Sequence, residues 1–313
     1  MMANHILVTG GGGYLGSVLV PMLLEAGNHI TVLDSFIYEQ DSLMACCRDK
    51  RFRVIRGDCR DKKMLQAALT GQDIIIPLAA IVGFPACARD AVAALTTNYE
   101  AITLLLSLRE RNQKIIFPCT NSGYGIGQGA EVCTEESPIT PISLYGRTKM
   151  MAEEAVLKAG NAVAFRFATL FGASGRMRTD LLVNDFVYRA IHDRAVVLFE
   201  GNHVRNFLHV SDAAAAFLFA IDHFDEMYGQ TFNCGMSDTN LTKVQLCERI
   251  KDHIPQFVYF ENDINTDPDQ RNYYVSNEKI EKLGYRTSRT LDDGIEELIK
   301  VYTIIDKRKY GNV

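Results

Sequence analysis

Short apolar runs alternate with longer helical patterns over the first 170 residues of the chain. The runs predict strands at residues 5–9, 30–33, 53–56, 74–78, 115–118 and 162–167. The stretches between them predict helices that include residues 17–25, 62–69, 99–111 and 144–158. Because the runs are too apolar for half-exposed strands, we expect each strand to be buried on both faces. The alternation therefore predicts an α/β fold, a doubly wound parallel sheet with helices on both sides.

The pattern changes after about residue 170. Loops lengthen, and polar stretches occupy residues 172–184, 200–206 and 262–276. We interpret residues 1–168 as one domain and residues 169–313 as a smaller α/β lobe built on the sheet. No linker rich in proline and glycine separates the two, so we expect them to pack tightly and interleave.

Composition narrows the class of protein. Of 313 residues, 47% are hydrophobic and 23% charged, which excludes disorder as the main state. The net charge of −5 argues against nucleic acid as a partner. The longest wholly apolar runs, 74–82 and 213–221, have nine residues each, whereas a bilayer core needs about 20, so no membrane association is expected.

The eight cysteines are scattered, with no CxxC pair and no zinc-like spacing, so we predict reduced thiols and no metal site. The first strand begins almost at the N-terminus, which leaves no room for a signal peptide in front of it. We therefore expect a cytoplasmic protein.

A glycine-rich turn follows the first predicted strand. Gly10 permits the tight turn, Gly13 allows backbone to approach a pyrophosphate, and Gly16 lets helix and strand pack closely. The helix that follows presents free N–H groups to phosphates. The alternative is a merely flexible turn, but the strand before it and the helix after it favour a dinucleotide site of the Rossmann type, which also includes Tyr14 and Leu15.

Two acidic residues extend this site. Asp34 ends the second predicted strand, where a carboxylate would bind the adenosine ribose hydroxyls and repel a 2′-phosphate, which favours NAD over NADP. Asp58 follows the third strand and would contact the adenine; the alternative is that it caps the next helix. The adjacent Ser35 and Cys59 are included in the predicted cofactor site.

Tyr145 and Lys149 stand four residues apart on a predicted helix, so both lie on one face. We expect the Lys149 ammonium, together with a nicotinamide cation, to lower the pKa of Tyr145 so that the phenol can remove a proton from a sugar hydroxyl. The alternative is a pair of exposed helix residues. Thr120, just past the fifth strand, is the third candidate, to hold the substrate oxygen; otherwise it makes a turn hydrogen bond.

With these residues, the chain resembles an extended short-chain dehydrogenase/reductase of the NAD-dependent epimerase/dehydratase family. The resemblance implies a nucleoside-diphosphate sugar as substrate. It implies that Leu78, Ala79 and Ala80 line the dinucleotide and that Asn98 sits below the site. It further implies that Arg205 meets the diphosphate. The other predicted substrate-binding residues are Asn121, Ser122, Arg178, Asn184 and Arg271.

Departures from the family narrow the chemistry. Related 4,6-dehydratases carry Asp-Glu directly after the active-site threonine, where this chain has Asn121 and Ser122. We therefore expect hydride transfer at C4 without loss of water. The 4-keto product is either released or reduced again from the other face, as in a 4-epimerase. A non-catalytic NAD-binding regulator is a third hypothesis.

Segments 120–127, 133–138, 176–184 and 267–277 resemble the GDP-heptose C4-dehydrogenases of capsule biosynthesis. That likeness favours release of the ketone and a GDP-heptose or GDP-mannose type of substrate. The family resemblance also implies a homo-oligomer, a dimer or tetramer, with helices near 99–111 and 144–158 at the contact.

Overall fold

Parallel strands form the centre of the molecule in a computed structural model, which describes residues 3–127, 131–262 and 270–305. The strands of these residues are β1 (His5–Thr9), β2 (His29–Asp34), β3 (Phe52–Arg56), β4 (Ile74–Pro77), β5 (Lys114–Thr120), β6 (Val132–Cys133), β7 (Ala162–Phe167), β8 (Thr169–Phe171), β9 (Ala195–Leu198), β10 (Val204–Arg205), β11 (Phe207–His209), β12 (Thr231–Cys234), β13 (Leu241–Thr242), β14 (Val258–Glu261) and β15 (Tyr274–Val275). Seven of them make one parallel sheet in the order β12-β7-β5-β4-β1-β2-β3.

The α-helices of the described residues are α1 (Gly16–Glu25), α2 (Lys62–Leu69), α3 (Phe84–Arg89), α4 (Ala91–Leu95), α5 (Ala101–Leu108), α6 (Leu144–Ala159), α7 (Leu182–His192), α8 (Val210–Asp222), α9 (Phe224–Met227), α10 (Lys243–His253), α11 (Glu278–Lys282) and α12 (Leu291–Val301). A π-helical turn, Thr96–Glu100, joins α4 to α5. The predicted α/β fold with a doubly wound parallel sheet is therefore confirmed.

Two details of the prediction are wrong. Strand β3 is not buried on both faces: Arg53, Val54 and Arg56 are exposed, because β3 is the outermost strand of the sheet. The helix predicted at 99–111 begins earlier, since α4 and the π-helical turn precede α5, and it ends at Leu108.

The second lobe consists of helices and the two-stranded pieces β11 with β8, β14 with β9, and the antiparallel pair β10 with β13. Its strand β15 pairs with β6, which precedes residue 168, so the two parts of the chain interleave there. Its strand β12 returns to the central sheet and pairs with β7. The lobe is also tied to the glycine-rich turn, because the Tyr14 hydroxyl donates to the Gly172 carbonyl (2.7 Å) and the Ser17 and Ser174 hydroxyls lie 2.7 Å apart.

Apolar side chains cover both faces of the sheet. Helices α1 and α8 bury Leu19, Leu23 and Phe217 on one face. Helices α2, α5 and α6 bury Leu65, Leu105 and other side chains on the opposite face. The carboxyl ends of the parallel strands therefore share one edge that the helices leave open, and ligands of open α/β sheets bind at such an edge.

Candidate active site

A cleft of about 450 Å³ opens at the carboxyl edge of the sheet, between the sheet and the second lobe. It brings together most residues singled out in the sequence. The predicted site residues that line it are Gly10, Gly13, Tyr14, Leu15, Gly16, Asp34, Ser35, Asp58, Cys59, Leu78, Ala79, Ala80, Thr120, Ser122, Tyr145, Lys149, Arg178 and Arg271.

The glycine-rich turn has the shape that a dinucleotide requires. Gly10 has a positive φ of 73°, and a Cβ there would lie 2.5 Å from the Ala79 nitrogen. A Cβ on Gly16 would overlap the backbone of Gly11. A Cβ on Gly13, by contrast, meets only the Gly10 carbonyl, at 3.2 Å. The backbone at Gly13 is thus open to a pyrophosphate, and the start of α1 offers the N–H groups to bind it.

Asp34 ends β2 beside this turn. Its carboxylate accepts hydrogen bonds from the backbone N–H groups of Phe36 (2.7 Å) and Gly12 (2.9 Å). Burial raises the pKa of Asp34, and these two hydrogen bonds act against the increase. The buried carboxylate fits the hydroxyl groups of a ribose and disfavours an added phosphate, so the residues present fit NAD.

Asp58 forms an ion pair with Arg60 (2.6 Å) at the wall of the cleft. Our alternative interpretation, that Asp58 caps the next helix, is wrong. The cap of α2 is Asp61, which accepts hydrogen bonds from the backbone N–H groups of Lys63 (2.8 Å) and Met64 (3.0 Å).

The first two turns of α6 carry Tyr145 and Lys149. The helix begins after Ser143, whose hydroxyl accepts a hydrogen bond from the Gly146 N–H (3.0 Å). The Lys149 ammonium lies 4.3 Å from the centre of the Phe117 ring. Burial lowers the pKa of Lys149 from its usual 10.5 to about 8. Both side chains line the cleft, where Tyr145 is half-buried and Lys149 is buried.

The expected effect of Lys149 on Tyr145 is not found within the protein alone. Burial raises the pKa of Tyr145, and the thiols of Cys119 and Cys87 act in the same direction. The cations that lower it are Arg271 and Arg178. In the protein alone, desolvation dominates, because it disfavours the phenolate and the ammonium alike. The expectation for the site with NAD bound stays a prediction.

Thr120 is the last residue of β5, and the loop after it folds back onto its side chain. The hydroxyls of Thr120 and Ser122 lie 2.9 Å apart, and the Ser122 N–H donates to the Thr120 hydroxyl (3.1 Å). Arg271 donates a hydrogen bond to the Ser122 hydroxyl. Residues 267–269 of the quoted segment 267–277 lie outside the described residues.

Four predicted site residues do not line the cleft. The amide of Asn98 binds the backbone of Ile81 on both sides, accepting from its N–H (2.8 Å) and donating to its carbonyl (3.0 Å). Asn184 accepts from the Gly172 N–H (3.0 Å) and is fully buried. Asn121 is also buried, and Arg205 is buried with a hydrogen bond to the Val204 carbonyl (3.0 Å).

The structure adds residues that the sequence did not single out. Arg176 lies 4.3 Å from the centre of the Tyr38 ring, so this contact joins the second lobe to the loop after β2 at the wall of the cleft. Gln40 also lines the cleft near Asp34. Arg176 falls in a segment quoted for its resemblance, but its contact with Tyr38 depends on two loops that no spacing brings together.

Comparison with known proteins gives a consistent result. The model of the NAD dependent epimerase/dehydratase family matches residues 6–235. The protein described as low-salt glycan biosynthesis protein Agl12, from Haloferax volcanii, is 25% identical over 95% of this chain and 98% of that protein. A Bacillus subtilis protein described as an uncharacterized UDP-glucose epimerase, YtcB, is 29% identical over 93% of this chain and 95% of that protein.

Among solved structures, UDP-glucuronic acid 4-epimerase from Bacillus cereus, crystallised with UDP-glucuronic acid and NAD, superimposes with a TM-score of 0.84. It is 24% identical, and the match covers 96% of this chain and 100% of that one. This likeness concerns the fold.

Proposed function

The chain belongs to the NAD dependent epimerase/dehydratase family, and from that premise we propose that it is a nucleotide-sugar 4-epimerase. It is an NAD-dependent enzyme of the extended short-chain dehydrogenase/reductase type that modifies nucleotide sugars. The observation that carries the proposal is that Thr120, Tyr145 and Lys149 line one cleft with the glycine-rich turn.

When bound, NAD⁺ supplies a hydride acceptor for C4 of the sugar. Tyr145 takes the proton of the C4 hydroxyl, and Thr120 holds the oxygen while the proton moves. Lys149 stabilises the phenolate and binds the nicotinamide ribose. Because burial alone raises the pKa of Tyr145, proton removal depends on positive charge in the assembled site. In the second half-reaction, Tyr145 returns the proton to the same oxygen after the sugar has presented its other face.

The acidic residues of the cleft support oxidation and reduction without elimination. Of the described residues that line it, the carboxylates are Asp34 and Asp58. Asp34 ends β2 and Asp58 follows β3, and both strands lie on the opposite side of β1 from β5, which carries Thr120. The positions after Thr120 hold Asn121 and Ser122, which are weak acids and bases. Neither a dehydratase nor a decarboxylase is therefore proposed.

The fate of the 4-keto sugar separates two candidates. The relatives described as UDP-glucose 4-epimerases, one of them 27% identical and from Lactobacillus helveticus, support return of the hydride to a UDP-hexose. The second candidate is release of the ketone from a GDP-heptose or GDP-mannose. It is supported by the likeness of segments 120–127 and 176–184 to GDP-heptose C4-dehydrogenases.

Sugar nucleotides deuterated at C4 test both candidates. UDP-glucose, UDP-glucuronic acid, GDP-mannose and a GDP-heptose would each be incubated with the enzyme, with and without a keto acid as hydride acceptor. We expect a C4-inverted product that keeps the deuterium and forms without the keto acid. A 4-keto sugar that has lost the deuterium supports the second candidate. Absence of any change at C4 in all four would contradict both.

We also propose that a second copy of the chain covers the helix that runs through α4 and α5. By length and composition, this helix, Ala91–Leu108, is one that could cross a membrane, a test that core helices of soluble proteins also pass. Only 28% of its residues are buried. Val92, Leu95 and the neighbouring Met151 of α6 are exposed. Exposed apolar faces of this kind mark contacts between proteins, which supports a homo-oligomer.

A further inference from the structure

Arg271 reaches across the cleft to the loop that follows β5. Its Nη1 donates a hydrogen bond to Oγ of Ser122, a side chain that is 1% exposed. The sequence placed Arg271 among the residues that contact the substrate. In the structure it lines the cleft and contacts the hydroxyl of Ser122, which is hydrogen-bonded to the proposed active-site threonine.

A second hydrogen bond links Ser122 to Thr120. A guanidinium has only donors, so Ser122 must accept from Arg271. The Thr120 hydroxyl donates to the same Ser122 oxygen (2.9 Å) and accepts from the Ser122 N–H (3.1 Å). The oxygen of Ser122 is thus fixed from two sides, and the orientation of the Thr120 hydroxyl follows from it. Arg271 therefore acts on the position of a group that would hold the sugar oxygen.

The charge of Arg271 also bears on Tyr145. The ionisable groups that affect the pKa of the phenol are Cys119 at the end of β5, Cys87 in α3, and Arg271 and Arg178 from the second lobe. Lys149 lies one turn further along α6. Burial raises the pKa of Tyr145, and of the two arginines that act against this increase, Arg271 has the larger effect.

We propose that Arg271 is a positioning residue for proton transfer: it orients Thr120 through Ser122 and places a positive charge in the cleft that the Tyr145 phenol lines. The role of Arg271 in proton transfer rests on the proposed function. The contacts from Arg271 to Ser122 and from Ser122 to Thr120 do not depend on which sugar is bound. This role distinguishes Arg271 from an arginine that only binds the substrate, whose loss would weaken binding and leave proton transfer unchanged.

The test titrates Tyr145 in the enzyme with NAD bound. Phenolate absorbance in the ultraviolet is recorded for each protein and for its Tyr145→Phe counterpart, and the difference gives the ionisation midpoint of Tyr145. We expect Arg271→Gln to raise this midpoint by roughly one unit. The acid limb of kcat against pH should move upward by the same amount, because the base must lose its proton before it acts.

Three further variants separate charge from orientation. Arg271→Lys keeps the charge and should restore most of the midpoint, whereas its kcat stays low because a single ammonium cannot reproduce the guanidinium contact. Ser122→Ala leaves the midpoint unchanged and lowers kcat severalfold. Arg147→Gln, an exposed arginine two residues after Tyr145 on α6, should change neither.

A rise in KM alone, with the midpoint and the acid limb unmoved in Arg271→Gln, would overturn the proposal and make Arg271 a simple substrate contact. Thermal unfolding of each variant identifies any that fail to fold, and Arg271→Lys then carries the comparison. If the unmodified enzyme changes no nucleotide sugar, the proposed function fails, and the titration still decides where the charge of Arg271 acts.

Discussion

Burial disfavours the charged forms of both Tyr145 and Lys149. The pKa of Tyr145 is raised, and the pKa of Lys149 is lowered to about 8. At neutral pH the protein therefore keeps a desolvated ammonium at Lys149, which lowers the free energy of unfolding. Such a cost is typical of active sites, where function and stability compete.

Lys149→Met should stabilise the cofactor-free protein while abolishing turnover. The folded pKa of about 8 lies below the ordinary 10.5, so the unfolded chain binds more protons between these values. The penalty is therefore complete below pH 8, shrinks as pH rises, and vanishes above 10.5. We expect a gain of about 3 kcal/mol at pH 7, the free-energy equivalent of the pKa difference, and almost none above pH 10.5. Urea unfolding at both pH values measures it; an equal gain at both would contradict the explanation.

Tyr145→Phe should lower kcat by about 10²–10⁴-fold, the usual range for loss of a general base. The change removes one oxygen from a helix residue, so substrate affinity and the melting temperature should change little. Initial rates at saturating substrate measure the loss. Tyr99→Phe, on a half-buried tyrosine outside the cleft, is the matched control and should retain full activity.

At the scale of elements, the regular strands and helices of the sheet could be predicted, because each has a strong apolar pattern of its own. Strand β7 and helix α2 have the predicted bounds, 162–167 and 62–69. The π-helical turn at Thr96–Glu100 could not, because the apolar pattern does not show where the backbone hydrogen bonds change from i→i+4 to i→i+5. That turn carries Asn98, whose amide holds the Ile81 backbone beside the cleft.

Two glycines of the glycine-rich turn differ in how much room a methyl group would have, so alanine substitutions at Gly16 and Gly13 can be compared. Gly16→Ala should destabilise the protein by about 2–3 kcal/mol, because its methyl group would overlap the Gly11 backbone. Gly13→Ala should lower the melting temperature much less than Gly16→Ala, since its methyl group meets only the Gly10 carbonyl, at 3.2 Å, a contact that a shift of a few tenths of an ångström relieves. It should nevertheless weaken NADH binding at least tenfold, about 1.4 kcal/mol, measured by fluorescence titration. Normal NADH affinity in Gly13→Ala would show that the cofactor does not approach this turn.

At the scale of the whole molecule, the sequence predicted the site better on the sheet than in the second lobe. Thr120, Asp34 and the glycines follow strands, so the strand order alone places them at one edge. Arg205 and Asn184 were assigned by resemblance. They lie in β10 and α7, outside the central sheet, and are buried without lining the cleft, because the strand order of the sheet does not fix where these elements pack. Contacts between distant loops, such as Arg271 with Ser122, leave no periodic signal.

The proposed homo-oligomer gives the whole-molecule prediction. Val92→Glu places a charge on the exposed apolar helix and should convert the assembly to monomers, as measured by light scattering after size-exclusion chromatography. Val54→Glu, the same substitution on an exposed valine of β3, should leave the mass unchanged. A mass of 35.0 kDa for the unmodified protein would contradict the proposal.

The last strand of the sheet, β12, has a consequence for synthesis on the ribosome. When residue 168 has been made, the nascent chain already contains Thr120, Tyr145 and Lys149, yet β7 still lacks the neighbour that begins at Thr231. Until that neighbour emerges, one edge of β7 presents unpaired N–H and C=O groups on which other nascent chains could pair. A message that ends after codon 168 would thus yield a fragment that carries Thr120, Tyr145 and Lys149 but is prone to aggregate through the unpaired edge of β7.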